Sequence, residues 1–209
     1  MDEAFTALDT ATRRQLIPAL SELAHDHALP VLFISHNIDE MAYLADQITW
    51  MQAGALGTPQ SASGFFARDD LAEAGFIETG VLITAVLQIP MNENGLSALE
   101  LAGQPLHLPG LPHRKTGDRI RLRLLARDVA LSRDPVEGVS IQNQIPCRIE
   151  TVCESAAHMG QVHVHLIADD QRLKARITHN ALKALDLRPG SDVFALIRTA
   201  HLADPLARM

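Results

Sequence analysis

The sequence predicts two architectures in succession: an α/β segment over residues 1–78, then a small all-β barrel over 79–205. Three observations carry this division. PVLFIS (30–35) is a short, continuous apolar run between stretches of helical period, as in a strand buried on both faces of a parallel sheet. From about Val81 the apolar period drops to two. DRIRLRLLA (118–126) sets Ile120, Leu122 and Leu124 against Arg119, Arg121 and Arg123; QVHVHLI (161–167) sets Val162, Val164 and Leu166 against His163 and His165. Finally, polar or Gly/Pro-rich turns recur between these runs: MNENG (91–95), LPGLPHRKTG (108–117), ADDQ (168–171) and RPGS (188–191).

Element by element, Asp9 is placed to N-cap a helix carrying Leu16, Ile17, Leu20 and Leu23 at helical spacing, with Pro18 kinking it or delaying its start. His25 and His27 fall at its end, where cationic side chains complement the macrodipole. PVLFIS, the helix-like NIDEMAYLADQ (37–47) and the strand-like ITWMQAG (48–54) then read as a βαβ crossover. A further helix covers roughly 61–73, and the boundary between the two architectures falls near 76–80. Within the barrel, HNALKAL (179–185) is a helix-like stretch. His163 and His165 share the strand face opposite its apolar residues, which reads as a solvated face and not a metal site.

Composition narrows the class. With 47% hydrophobic and 21% charged residues the chain is globular, not disordered. A net charge of −7 argues against a nonspecific nucleic-acid partner, which needs clustered Lys and Arg. The longest apolar runs, LPVLFI (29–34) and GVLITAVLQIP (80–90), are too short to span a bilayer, and the acidic N-terminus does not resemble a signal peptide. Cys147 and Cys153 suit a reduced, cytoplasmic protein better than a disulfide or zinc scaffold.

Several short motifs occur in a telling order. Asp2-Glu3 resemble the end of a Walker B motif, and Thr6-Ala7-Leu8-Asp9 resemble the D-loop of ABC-transporter ATPases. His36, directly after PVLFIS, resembles their switch histidine, and 30–56 follow the family pattern throughout. Taken singly these residues have plainer readings, as an exposed acidic terminus, an N-cap and a strand-end histidine; the resemblance rests on the ordered set. It implies an α/β remnant of a P-loop ABC ATPase domain, with Asp2 acting through Mg²⁺, Glu3 orienting the attacking water, His36 meeting the γ-phosphate and Asp9 facing a dimer partner. Ala4 stands where the family has Pro and Thr6 where it has Ser. No G-x-x-x-x-G-K-[ST] loop and no Leu-Ser-Gly-Gly-Gln-like signature occurs in the sequence, and Met1 stands where the Walker B strand would end. The expectation is therefore a truncated subunit, inactive alone, in which residues 30–35 and 48–52 lack their usual strand neighbours and expose apolar surface.

RLRLLARDVAL (121–131), VSIQNQIPCRIETV (139–152) and LKARITHNALKALDLRPGSDVFALIRTAHL (173–202) resemble the C-terminal regulatory domain of molybdate-import ABC ATPases. That resemblance implies an OB-like Mop/TOBE barrel, with its Mop-type module at about 138–203. It also implies a homodimer, a membrane permease partner, Mg-ATP as cofactor, molybdate or tungstate as oxyanion ligand, and a cytoplasmic, peripheral location at the membrane. In Mop-type proteins the site lies between subunits and uses a Ser-x-Arg-Asn segment and a basic residue on the last strand. Ser140, Gln142 and Asn143 match the segment, with Gln142 replacing the usual Arg, and Arg198 matches the basic position. Ala181 stands where some relatives have a ligating Ser; Lys174, Arg176 and Thr178 lie nearby to compensate. The plainer reading is that Ser140 and Asn143 form a turn into a strand and Arg198 is an exposed strand residue. A stand-alone oxyanion-binding or dimerisation module with a vestigial ATPase segment is the rival function. The purified chain is expected to show no Mg²⁺-dependent ATP turnover above background; turnover clearly above a no-protein control would refute this.

Overall fold

The computed structural model describes residues 1–154, 159–198 and 201–202. Two compact units divide between Phe65 and Phe66, ahead of the boundary that the change of period suggests.

In the first unit, Asp9 caps α1 (Thr10–Asp26): Asp9 Oδ1 accepts from the backbone N–H groups of Ala11 and Thr12 at 2.9 and 3.0 Å. The helix runs on through Pro18. Its stripe is only partly covered: Ile17 is buried, while Leu16 and Leu23 are exposed. His27 follows the helix end; the side chain of His25 lies outside the described residues. Asn37 caps α2 (Ile38–Leu44) by accepting from the N–H groups of Asp39 and Glu40.

The βαβ expectation fails here. PVLFIS is extended but forms no strand; it carries an isolated parallel bridge between Ile34 and Asp2. ITWMQAG splits into β1 (Gln47–Ile48) and β2 (Met51–Gln52), and both pair antiparallel, β2 with β3 (Ala55–Leu56) and β1 with β4 (Gln60–Ser61). A fully buried parallel strand needs a partner on each edge. Among the described residues the 30–35 run has only Met1–Glu3, and Val31, Leu32 and Ile34 are left exposed, Leu32 by 78%. The single helix expected over 61–73 is two short ones, α3 (Ala62–Phe66) and α4 (Asp69–Glu73).

The second unit is all-β apart from α4, a 3₁₀ turn (Ala126–Asp128) and α5 (His179–Ala184). One antiparallel sheet joins β5 (Gly80–Ile89), β6 (Leu96–Leu101), β7 (Gln104–Pro109) and β8 (Arg119–Leu125) in the order β8-β5-β6-β7. The other joins β9 (Val129–Ser132), β10 (Asn143–Glu154), β11 (Gln161–Ala168), β12 (Gln171–Thr178) and β13 (Asp192–Ile197) in the order β12-β11-β10-β13-β9. A terminal two-residue strand, β14 (His201–Leu202), ends the described chain.

The alternation read from the sequence is the alternation of burial. Ile120, Leu122 and Leu124 are buried, as are Ile145, Cys147 and Ile149 of β10 and Val162, Val164 and Leu166 of β11. β12 packs against β5, β8 and β9 and so folds the two sheets onto one core. Close approach sets one residue type: a Cβ on Gly80 would sit 2.3 Å from the Leu124 carbonyl oxygen, so β5 can meet β8 there only as glycine. No helix among the described residues is long and apolar enough to cross a membrane.

Candidate functional site

The carboxylates at the start of the chain are held by backbone pairing. Ile34 N–H donates to Met1 O and Glu3 N–H donates to Ile34 O, both at 2.9 Å. Glu3 takes the left-handed conformation, φ 42°, and its Oε1 lies 2.9 Å from His36 Nδ1. The structure thus brings Glu3 and His36 together, with both side chains open to solvent. Asp2 is exposed beside them. Asp9 is engaged as a cap, and hydrogen bonds from the Thr12 side chain and backbone hold its carboxyl below the usual range. Among the described residues no group of three His, Cys, Asp or Glu side chains is arranged to hold a metal ion.

The second candidate lies at the start of β10. Ser140 and Gln142 are exposed on the approach to the strand, and Asn143 is its first, buried residue. Asn143 Oδ1 accepts from His107 N–H at 2.7 Å, and its Nδ2 donates to the carbonyls of His107 at 3.0 Å and Ile197 at 3.4 Å. The amide pairs with β7 as a strand backbone would and ties the two sheets together at this point. Register sets Asn143 opposite Ile197, which places Arg198 next to it. Arg198 Nη2 donates to Asp128 Oδ1 at 2.8 Å, and Arg198 N–H donates to Asp128 O at 3.1 Å. Thr178 is elsewhere in the sheet. It pairs with Gln161, beyond the Glu154 end of β10, and its Oγ1 caps α5 by accepting from Ala181 N–H at 3.1 Å.

The third cluster was not legible as one in the sequence. His163 is 1% exposed, not solvated, because the Ala67–Asp69 segment lies over its face of the sheet. Lys174, equally buried, donates from Nζ to Ala67 O at 2.9 Å and to Asp69 Oδ1 at 2.7 Å. Its ammonium is thus consumed by this contact. His165 Nε2 lies 3.2 Å from Asp69 Oδ2, and both ring nitrogens of His163 are buried without a hydrogen-bond partner. Burial raises the Asp69 carboxyl, but the nearby His165 imidazole and the Lys174 ammonium outweigh it and hold the group well below the carboxylate range. Desolvation pushes the His163 imidazole down against the pull of Asp69, with Lys174, Arg176 and His165 reinforcing the shift. Elsewhere, burial pushes the Cys147 thiol up to about 11, which makes it an inert core residue.

Residues 139–203 match the TOBE domain, so the second unit is a TOBE-bearing β domain. The chain as a whole is homologous to molybdenum import ATP-binding proteins. It is 35% identical over 213 residues to the molybdenum import ATP-binding protein ModC of Thiobacillus denitrificans, covering 97% of this chain and 55% of that protein. It is 34% identical over 202 residues to ModC 1 of Azotobacter vinelandii, again covering 97% of this chain and 55% of that one. The chain thus spans about half the length of the curated relatives it matches. The solved structure of the cytoplasmic molybdate-binding protein ModG, with molybdate bound, superposes with a TM-score of 0.48 at 15% identity, covering 58% of this chain and 94% of that one. That superposition is too loose to bear on function.

Two outcomes follow for the buried cluster. Lys174→Met removes the ammonium from the partly exposed Asp69 carboxylate, which keeps its contact with His165, and is expected to cost about 1.5 kcal/mol in denaturant unfolding. His163 stays neutral in the fold at pH values where the unfolded chain takes up a proton. Its contribution is therefore complete above its ordinary value and is lost as pH falls through it. Stability should fall as pH drops below about 7, where the unfolded imidazole, near 6.5, begins to take up its proton, and His163→Leu should flatten the slope. An unchanged slope in the variant would contradict this.

Proposed function

We propose that this chain serves in the ATP-binding subunit of a molybdate importer, coupling ATP hydrolysis to molybdate uptake, with the second unit acting as an oxyanion-sensing barrel. The observation that carries the sensing role is the convergence of Asn143 and Arg198 at one end of the β10–β13 pair, where the Ser140–Gln142 segment arrives. Molybdate is a tetrahedral dianion. It requires several fixed donors and positive charge, and a guanidinium supplies both. On this reading Arg198 is the charged donor, and the Ser140 hydroxyl and Gln142 amide add neutral donors. Asn143 acts by holding β10 against β7, because its amide is already committed to His107 and Ile197.

We infer a homodimer, as the family resemblance implies for a site between subunits, in which Thr178 of one copy joins Arg198 of the other.

The first unit supports the ATPase assignment more modestly, through the 2.9 Å approach of Glu3 and His36. Bound Mg-ATP would supply the phosphoryl group and the charge neutralisation. Toward it, Glu3 would accept a proton from water, His36 would donate to a terminal phosphate oxygen, and Asp2 would face the metal. The partner of the assembled subunit is a membrane permease, which places it as a peripheral protein on the cytoplasmic face.

Calorimetry with molybdate and tungstate tests the site. Binding heat is expected, with Arg198→Ala weakening affinity at least about tenfold, as loss of a charged hydrogen bond does. No heat at millimolar ligand from the intact protein would end the assignment.

A further inference from the structure

Arg198 is mostly exposed, yet both its main chain and its side chain are tied to one residue. Asp128 closes the 3₁₀ turn after β8, and its carboxylate is only 4% exposed. Val129 follows it directly and pairs with Ile197, so the carboxylate stands on the floor of the β13–β9 ladder and not on a mobile loop. Oδ1 accepts from Arg198 Nη2, and the carbonyl accepts from Arg198 N–H. A buried carboxylate needs a charge and hydrogen bonds to compensate its desolvation, and the Arg198 guanidinium supplies part of that compensation. A free surface arginine loses rotamer freedom when a ligand orders it, and binding must otherwise overcome that cost.

We propose that Asp128 is the positioning residue of the oxyanion site: it fixes one edge of the Arg198 guanidinium before the ligand arrives, leaving the remaining N–H groups to meet a tetrahedral dianion. The inference rests on the proposed oxyanion role of Arg198. It also bears on selectivity. Gln142 is neutral where the family resemblance expects a second charge, and Asp128 offsets part of the charge that Arg198 brings. The site therefore discriminates by donor geometry more than by net charge. Tetrahedral oxyanions of matching size should separate well from smaller anions of equal charge.

The test is equilibrium binding of molybdate to the full chain and to Asp128→Ala, Asp128→Asn, Arg198→Ala and the Asp128→Ala/Arg198→Ala pair. Asp128→Ala should weaken binding about tenfold. Asp128→Asn keeps an acceptor in the same place and should stay within about threefold of the parent. Asp128→Ala should add nothing once Arg198 is gone, because its effect is transmitted through that side chain. Parent-like binding by Asp128→Ala would overturn the proposal. So would an equal loss from Asp128→Ala in the Arg198→Ala background, since that marks general damage to the fold. Failure of the parent itself to bind, or Arg198→Ala binding as the parent does, would instead strike the oxyanion reading and remove the ground for this one.

Discussion

The second unit depends on one strand. β10 runs twelve residues without a break in its role, pairing with β11 on one edge and β13 on the other. A bulge opposite β11 between Ile149 and Thr151 bends it without ending it. Its buried positions, Ile145, Cys147 and Ile149, belong to the core, and its first residue reaches across to β7. That amide contact means the Asn143 end cannot shift without disturbing the other sheet.

The half-buried Lys174–Asp69 pair is the second constraint. It joins residues 105 positions apart and fixes the segment just past the unit boundary onto the β12–β11 face. A buried ammonium with a carboxylate and a carbonyl around it is costly to break by removing either partner. The desolvated His163 beside it, its ring nitrogens buried without a hydrogen bond, makes this corner sensitive to acid.

Much of the β unit was legible because its strands have one core face and period two states that directly. The burial of Ile120, Leu122, Leu124, Val162, Val164 and Leu166 follows from the sequence alone. The cap at Asp9 and the short helix after Thr178 were legible for a local reason, since both depend on residues within three or four positions. His163 and His165 were misread because what covers them is distant in sequence; alternation gives the face a residue points to, not whether that face meets solvent. PVLFIS reads as a buried parallel strand from its composition, but strand formation is a property of neighbours, and only Met1–Glu3 pair with it among the described residues. The pairing of Arg198 with Asp128 had no sequence signal, being set by the register of β13 on β9.

In the proposed homodimer, Arg198 of one copy and Thr178 of another serve one oxyanion site. The direct measurement is complementation between two tagged variants, Arg198→Ala and Thr178→Ala, refolded together and purified as the mixed species. Each variant alone should bind molybdate weakly. The mixed species should recover one parent-like site per two chains, since one of its two interfaces then carries an intact Arg198 and an intact Thr178. Mixed species no better than either variant alone, or parent-like binding by a demonstrably monomeric chain, would contradict the claim.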